Sequence, residues 1–326
     1  MIVITGGVGF IGSVIAAKLN QNGEQNILIV DENENNEKWK NLRKKQFSEF
    51  LTKEEFLALI ENHSLKKRFR KKISAIIHMG ACSDTTQQNM EYLHQTNYRY
   101  SISLLHFALE NKIRFIYASS AAVYGDGKQG FNDSHTLTHQ LLPLNKYGFS
   151  KWLFDEYVIH NGYAQQVTGL RFFNVFGPNE YHKGNMSSVI YKLFHSIQET
   201  GQIKLFESHE PEYEHGEQKR DFIYVKDAAE ILLFFLNNNK TGIFNAGTGK
   251  AETFNSLAQY TSQAMDKKIA IQYFPMPEDV KKHYQYFTEA DIQKLRNAGY
   301  AREFTPFCDA VSDYVKNYLL QQDPYL

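Results

Sequence analysis

The chain opens on a short apolar run, Ile2-Val-Ile-Thr5, which passes through Gly6 directly into Gly7-x-Gly9-x-x-Gly12 and then into an amphipathic stretch from Ser13 to Asn20. No other feature restricts the fold as much. A strand, a glycine turn and a helix start in this order let backbone approach a pyrophosphate. Small residues clear the way, and the helix N-terminus offers free N–H donors and a positive dipole end. A glycine triplet alone is weak evidence, but the strand before it and the helical pattern after it are the context the motif requires. A second apolar run, Ile27-Leu-Ile-Val30, ends in Asp31, at the spacing where a carboxylate accepts from an adenosine ribose hydroxyl. Taken alone, Asp31 reads equally as a helix cap after a buried strand; beside the glycines, nucleotide binding is the stronger reading.

Apolar runs then alternate with helical patterns. The strand Ala75–His78, a helix around Tyr100–Glu110, and the strands Phe115–Ala118 and Thr168–Phe172 follow one another. Such alternation predicts an α/β chain with a Rossmann, doubly wound parallel sheet whose carboxyl edge binds ligands. Gly and Pro interrupt the pattern at Asn174-Val-Phe-Gly-Pro178, where the smaller lobe is expected to begin. The expected division is residues 1–173, with return segments at about 220–245, for dinucleotide binding. Residues 174–219 and 246–326 would form a discontinuous α/β substrate lobe. The return segments are the strand Phe222–Val225, the helix Asp227–Leu236 and the strand Gly242–Asn245, and Val311–Leu319 reads as an amphipathic closing helix.

On the binding edge, Ser119 and Ser120 end a strand, and Tyr147 and Lys151 lie four residues apart, on one face of a helix. A free phenol, with a pKa near ~10, is a poor base at neutral pH, and a nearby ammonium favours its phenolate. Ser120, Tyr147 and Lys151 thus supply a hydroxyl to orient an alcohol, a phenol to take its proton and a cation to tune the phenol. The bland alternative for the pair is a core edge beside a solvated helix face.

With TGGVGFIGS at the start, SSAAVYG from Ser119 and YGFSK from Tyr147, the chain resembles the extended branch of the short-chain dehydrogenase/reductase superfamily. Four further stretches narrow the resemblance: HMGACSDTT from His78, RFFNVFGPNEYHKGNMSSV from Arg171, KRDFIYVKDAAE from Lys219 and YQYFTEADIQKLRNAGY from Tyr284. Together they look like the ADP-L-glycero-D-manno-heptose 6-epimerase family, essentially end to end. That resemblance implies inversion at carbon 6 of an ADP-heptose through transient oxidation by tightly held NADP, with no net redox change, in supply of lipopolysaccharide inner-core heptose. It also implies a second acid/base group at Lys183. A desolvated lysine there can shift into the working range, whereas a loop lysine touching phosphate or solvent is the alternative. His182 reads as a neighbour of that group rather than a base.

For the cofactor, the resemblance places Gly6, Gly9, Phe10, Ile11 and Gly12 at the pyrophosphate turn and Asp31 and Glu32 at the adenosine ribose. It places Met79, Gly80, Ala81, Cys82 and Ser83 with Asn97 along the dinucleotide, and adds Val175, Tyr147, Lys151 and Lys183. Asp31 alone favours NAD; Lys38 and Lys53 carry the family preference for NADP. Ser120, Asn174, Asn185, Lys192, Phe206, Glu207, Ser208, His209, Arg220 and Tyr284 occupy its substrate positions. Asn185 and Lys192 depart from the Ser and His expected there, and the acidic stretch Ser208–Gln218 looks longer than usual. Arg220, beside Asp221, could instead form a surface ion pair, and Tyr284 could be a core aromatic.

Equal numbers of basic and acidic residues, 36 of each, remove any global field toward nucleic acid or an anionic membrane. The basic run Lys66-Lys-Arg-Phe-Arg-Lys-Lys72 lacks aromatic interleaving and reads as a solvated helix face. Two cysteines, Cys82 and Cys308, are too few for a disulfide framework, and His209 and His215 lack a ligand pattern, so no metal is expected. A soluble, cytoplasmic homo-oligomer is the expectation. The rival functions are another nucleotide-sugar enzyme of the branch, such as a UDP-hexose 4-epimerase, a dehydratase or a reductase, and a non-catalytic nucleotide sensor. Ser119–Tyr124 lacks a dehydratase's Asp-Glu pair, and a sensor has no need of an activated phenol.

Overall fold

A computed structural model describes residues 1–32, 37–69, 72–281 and 284–326. Its strands are β1 (Ile2–Thr5), β2 (Ile27–Asp31), β3 (Glu49–Thr52), β4 (Ala75–His78), β5 (Arg114–Ser120), β6 (Thr168–Phe172), β7 (Asn174–Phe176), β8 (Ile203–Phe206), β9 (Lys219–Tyr224), β10 (Gly242–Ala246), β11 (Ala251–Thr253) and β12 (Ile271–Phe274). Among the described residues, seven of these pair in the order β10-β6-β5-β4-β1-β2-β3. Every pairing within that sheet is parallel. β1, β2 and β4 are buried along their whole length, as a sheet covered by helices on both faces requires. Successive residues alternate faces. Ile2, Ile4, Ile27, Ile29 and Ile77 pack with the helices Phe10–Gln21 and Val225–Leu236. Val3, Leu28, Val30 and Ile76 pack with Lys53–Glu61, Tyr100–Glu110 and Lys146–His160.

The strand order reverses between β1 and β4, so a crevice opens at their carboxyl ends. The α/β, doubly wound architecture read from the sequence is the one found. The smaller lobe carries the antiparallel pair β11 and β9, with β7 parallel to β9, and the parallel pair β8 and β12. One boundary differs from expectation. β9 ends at Tyr224 and pairs within the small sheet, so the chain returns to the large sheet through the helix Val225–Leu236 and β10, not from about residue 220. Val225 opens that helix instead of closing a strand, and Asp227 in its first turn suits the helix dipole. The closing helix starts earlier than expected, at Phe307 directly after Pro306, and continues through Leu319. In the basic run, Arg70 and Lys71 lie outside the described residues, and Arg68 pairs with Glu49. No helix among the described residues is long and apolar enough to cross a membrane.

Candidate active site

The crevice is a cavity of about 700 Å³ that takes in both the glycine turn and the Tyr147–Lys151 helix. At its floor Gly6 has a φ of 66°, and a Cβ there would lie 2.6 Å from the Gly80 nitrogen, so the loops after β1 and β4 touch only because Gly6 has no side chain. A Cβ on Gly12 would stand 2.2 Å from the Gly6 carbonyl oxygen. No side chain caps the helix that begins at Phe10, which leaves its first amides facing the crevice for an anion. These features fit a dinucleotide pyrophosphate. Asp31 Oδ2 accepts from the Val8 amide at 2.8 Å, while Oδ1 accepts from the Glu32 amide at 2.8 Å and from Lys38 Nζ at 2.6 Å. Lys53 Nζ reaches Glu32 at 3.2 Å. Asp31 and Glu32 are therefore each matched by a cation.

All the expected cofactor residues line this cavity except Asn97. Asn97 is buried behind the loop after β4. It accepts from the Cys82 amide at 2.8 Å, donates to the Cys82 carbonyl at 2.9 Å and reaches Ser150 Oγ at 3.0 Å. It fixes the loop against the Lys146–His160 helix and is not among the residues that line the crevice.

The helix Lys146–His160 is aimed by its start. Asn145 caps it by accepting from the Gly148 amide at 2.7 Å, and a Cβ on Gly148 would lie 2.7 Å from the Ala122 carbonyl oxygen. Glycine there lets the first turn press on the turn after β5, which brings Tyr147 to Ser120. Burial pushes the Tyr147 phenol up, the Ser120 hydroxyl pulls it down by hydrogen bonding, and Cys82 adds a small upward push. Lys151 Nζ donates to the Ala118 carbonyl at 2.8 Å. Burial pushes the Lys151 ammonium down to about 8, with Asp155 and Cys82 opposing.

One turn further along the helix lies a buried network. The Asp155 carboxylate accepts from Tyr117 at 3.0 Å, Ser119 at 2.9 Å and Arg171 Nε at 2.9 Å. Arg171 also donates to Tyr124 at 3.1 Å and to Thr138 Oγ1 at 3.0 Å. Asp155 and Arg171 side chains are both 0% exposed. Burial works against the Arg171 charge, but Tyr124 and Asp155 outweigh it and hold the guanidinium above its ordinary range.

Lys183 enters the crevice from the other side, on the loop between β7 and the helix Val189–Thr200, with its ammonium 5.5 Å from the Phe10 ring centroid. Burial lowers its pKa, opposed by Glu180. Glu180 is fully buried and clasps both ends of this loop, accepting from the Gly177 amide at 3.2 Å, the Ser188 hydroxyl at 2.7 Å and the Ser188 amide. His182 is pushed down to about 4, by burial first and then by Lys38 and Lys183.

Of the expected substrate residues, Ser120, Asn174 and Arg220 line the cavity. Arg220 is buried between Tyr284, 5.2 Å to the ring centroid, and Phe254, at 5.8 Å, and donates to the carbonyls of Lys219 and Gln285. It does not pair with Asp221, which instead accepts from Thr248, Gly249 and Ala290. Tyr284 stands edge-on to Phe206 at 6.4 Å and to Tyr286 at 5.3 Å, and Tyr286 bonds His209 at 2.7 Å. Phe206, His209 and Tyr284 thus extend from Arg220 as an aromatic cluster outside the crevice walls. Glu207 donates its amide to Phe274, and Ser208 donates its hydroxyl to the Glu210 carbonyl. Asn185 and Lys192 bond each other at 2.7 Å and do not line the crevice. His215 Nδ1 accepts from the Ser208 amide at 3.0 Å.

Residues 2–247 match the model of the NAD dependent epimerase/dehydratase family. Over 327 residues, covering 100% of both chains, the sequence is 45% identical to ADP-L-glycero-D-manno-heptose-6-epimerase of Nitratidesulfovibrio vulgaris. The chain belongs to that epimerase family. The Fusobacterium nucleatum member is 44% identical over 339 residues, again covering 100% of both chains. The crystal structure of the Helicobacter pylori ADP-L-glycero-D-manno-heptose-6-epimerase superposes with a TM-score of 0.79 at 28% identity, covering 97% of this chain and 95% of that one. As a family member the chain is an epimerase, an isomerase, with a nicotinamide cofactor. Sequence reasoning missed several of this epimerase's crevice walls, among them Tyr100, Phe173, Met186 and Phe254. Only Tyr100 carried a signal, as the start of a helix following a binding-edge loop.

Proposed function

We infer that this chain interconverts ADP-D-glycero-D-manno-heptose and ADP-L-glycero-D-manno-heptose, inverting carbon 6 of the sugar, with NADP as its resident cofactor. The observation that carries the reading is that Tyr147 and Lys183 line one crevice from opposite elements, in a chain matched end to end by epimerases of that name. NADP supplies reversible hydride acceptance, so the sugar is oxidised and reduced at one carbon without net change. Hydride return to the opposite face of an exocyclic carbonyl follows from rotation about one bond, and one acid/base group can hardly serve both orientations. Tyr147, oriented by Ser120, exchanges the hydroxyl proton of one epimer, and Lys183 exchanges that of the other. The Lys151 ammonium favours the phenolate when the crevice is filled. Lys38 and Lys53, already set against Asp31 and Glu32, offset the repulsion of a 2′-phosphate. Arg220, with a planar cation held between two rings, binds the diphosphate of the sugar nucleotide. The heptose product serves lipopolysaccharide inner-core assembly in the cytoplasm, and the enzyme acts as a homo-oligomer.

The test is incubation of the purified protein, without added cofactor, with ADP-D-glycero-D-manno-heptose, resolving the carbon-6 epimers by NMR. Conversion toward a mixture is expected; no conversion after NADP and NAD are both supplied overturns the substrate. Preferential rebinding of NAD over NADP by more than about tenfold overturns the choice of NADP.

A further inference from the structure

The crevice is built from two parts of the chain that are distant in sequence, the glycine turn and the Lys183 loop, and Asn41 is a buried side chain that bonds to both. Asn41, in the turn Glu37–Leu42 that follows the adenosine-end residues, is 1% exposed. Its Nδ2 donates to the Val8 carbonyl at 2.9 Å and to the Asn179 carbonyl at 3.1 Å, and lies 3.3 Å from His182 Nδ1. Two carbonyl oxygens facing one end of the amide fix that end as NH2. Val8 is held on its other side by Asp31. Asn179 adopts a left-handed φ of 76° and donates its own amide to Ser13 Oγ at 2.9 Å, on the helix behind the glycine turn. A continuous chain of contacts thus runs from Asp31 through Val8 and Asn41 to Asn179 and His182, and ends one residue short of Lys183.

We propose that Asn41 is a positioning residue for the proton-transfer chemistry: it locks the Lys183 loop to the glycine turn, so that Lys183 is set in register with the cofactor seated there. The inference rests on the reading of Lys183 as a proton-transfer group. The Glu180 bonds run to Gly177 and Ser188, within the loop and at its ends, whereas Asn41 bonds the loop at Asn179 and the glycine turn at Val8, and so helps to fix where the loop stands. Aspartate has the same shape as asparagine but no donor, and would face the Val8 and Asn179 carbonyls with negative charge.

Two measurements on the cofactor-loaded protein decide the matter. Asn41→Asp and Asn41→Ala are made alone and in a Lys183→Met background, and turnover is followed by NMR. Misplacement of a reacting group by about 1 Å costs up to about 100-fold in turnover, so a loss of that order is expected with KM little changed and with cofactor content unaltered. In the Lys183→Met background the same change should cost nothing further, because residues acting through one group are not additive. Equal losses in both backgrounds would show a merely structural role and overturn the proposal. The second measurement needs no substrate: acylation of Lys183 by acetic anhydride, quantified by peptide mass spectrometry with Lys151 as internal reference. Release of the loop should speed labelling at Lys183 by about tenfold relative to Lys151. Unchanged relative labelling overturns the proposal even if the heptose proves to be the wrong substrate. Labelling as expected in a protein that fails to convert ADP-heptose would keep the positioning role and discard only that substrate.

Discussion

Replacing Asp155 by Asn keeps the shape of the side chain and removes its charge, which makes it the sharpest test of what holds the Lys146–His160 helix to the sheet. Three donors converge on the carboxylate: Tyr117 on Oδ1, and Ser119 and Arg171 on Oδ2. An Asn carbonyl can keep Ser119 and Arg171, while its amide turns toward the Tyr117 hydroxyl, which can accept. Most hydrogen bonds survive, but a guanidinium that is 0% exposed loses its counter-charge. Breaking a buried pair costs about 3–5 kcal/mol, and retention of the hydrogen bonds places Asp155→Asn near the lower end, about 3 kcal/mol. With a urea m-value of roughly 3–4 kcal/mol/M for a chain of this size, the unfolding midpoint should fall by about 0.7–1 M. Trp152, which donates to the Thr138 carbonyl at 2.9 Å beside this network, is a natural fluorescence probe, with cofactor held at saturation throughout. Replacing both partners, Asp155→Leu with Arg171→Met, should recover most of the loss, because an apolar pair of similar volume is often neutral or better. A midpoint within about 0.2 M of wild type for Asp155→Asn, or a double variant no more stable than the single one, would refute the reasoning.

Three further outcomes are expected. Tyr147→Phe should abolish epimerisation while cofactor still co-purifies, read by NMR and by the absorbance of cofactor released on denaturation; unchanged turnover would remove Tyr147 from the chemistry. Gly12→Ala, whose Cβ would stand 2.2 Å from the Gly6 carbonyl oxygen, should strip the protein of bound cofactor, and full retention would contradict the cradle described here. The folded pKa of Lys151, about 8, lies below its unfolded 10.5, so the folded protein binds fewer protons than the unfolded chain between those values. Stability from this group should therefore rise with pH across that window and be least favourable below it, and Lys151→Met should flatten the slope of urea midpoints measured from about pH 7 to pH 10.5.

The large sheet and the pyrophosphate turn could be read from the sequence because their signals are local. Ile2–Thr5, Ile27–Asp31 and Ala75–His78 are apolar runs long enough to be buried strands, and glycines in a strand-to-helix turn have few other uses. Tyr147, Lys151 and Ser120 were legible for the same reason, by spacing on one helix and position at one strand end. What escaped depends on contacts between remote segments. Asn97 was expected in the crevice and instead clamps the loop beside it, since both ends of its amide are taken by Cys82. The boundary at β9 went to the small sheet because its partners, β7 and β11, are strands of three residues each with no visible pattern. Arg220 stands beside Asp221 in sequence but is turned away from it by two aromatic rings. No spacing rule announces that.

Val8 has a bearing on how far this enzyme can be re-engineered. Its amide is held by the Asp31 carboxylate, proposed to meet the cofactor ribose, and its carbonyl by Asn41, whose amide also reaches the Lys183 loop. On the roles proposed above, coenzyme choice and turnover thus meet at one residue, on the two peptide units that flank the Val8 Cα. Rewriting Asp31 to change the coenzyme would disturb the turn and slow the reaction along with it, so such variants would look like failed designs even where the new coenzyme binds. Lys38 reaches Asp31 and Lys53 reaches Glu32 through their ammonium groups, away from the Asp31 oxygen that holds Val8. On the proposed reading of the cofactor, those two lysines are where drift or design would change coenzyme preference with the least disturbance of Val8.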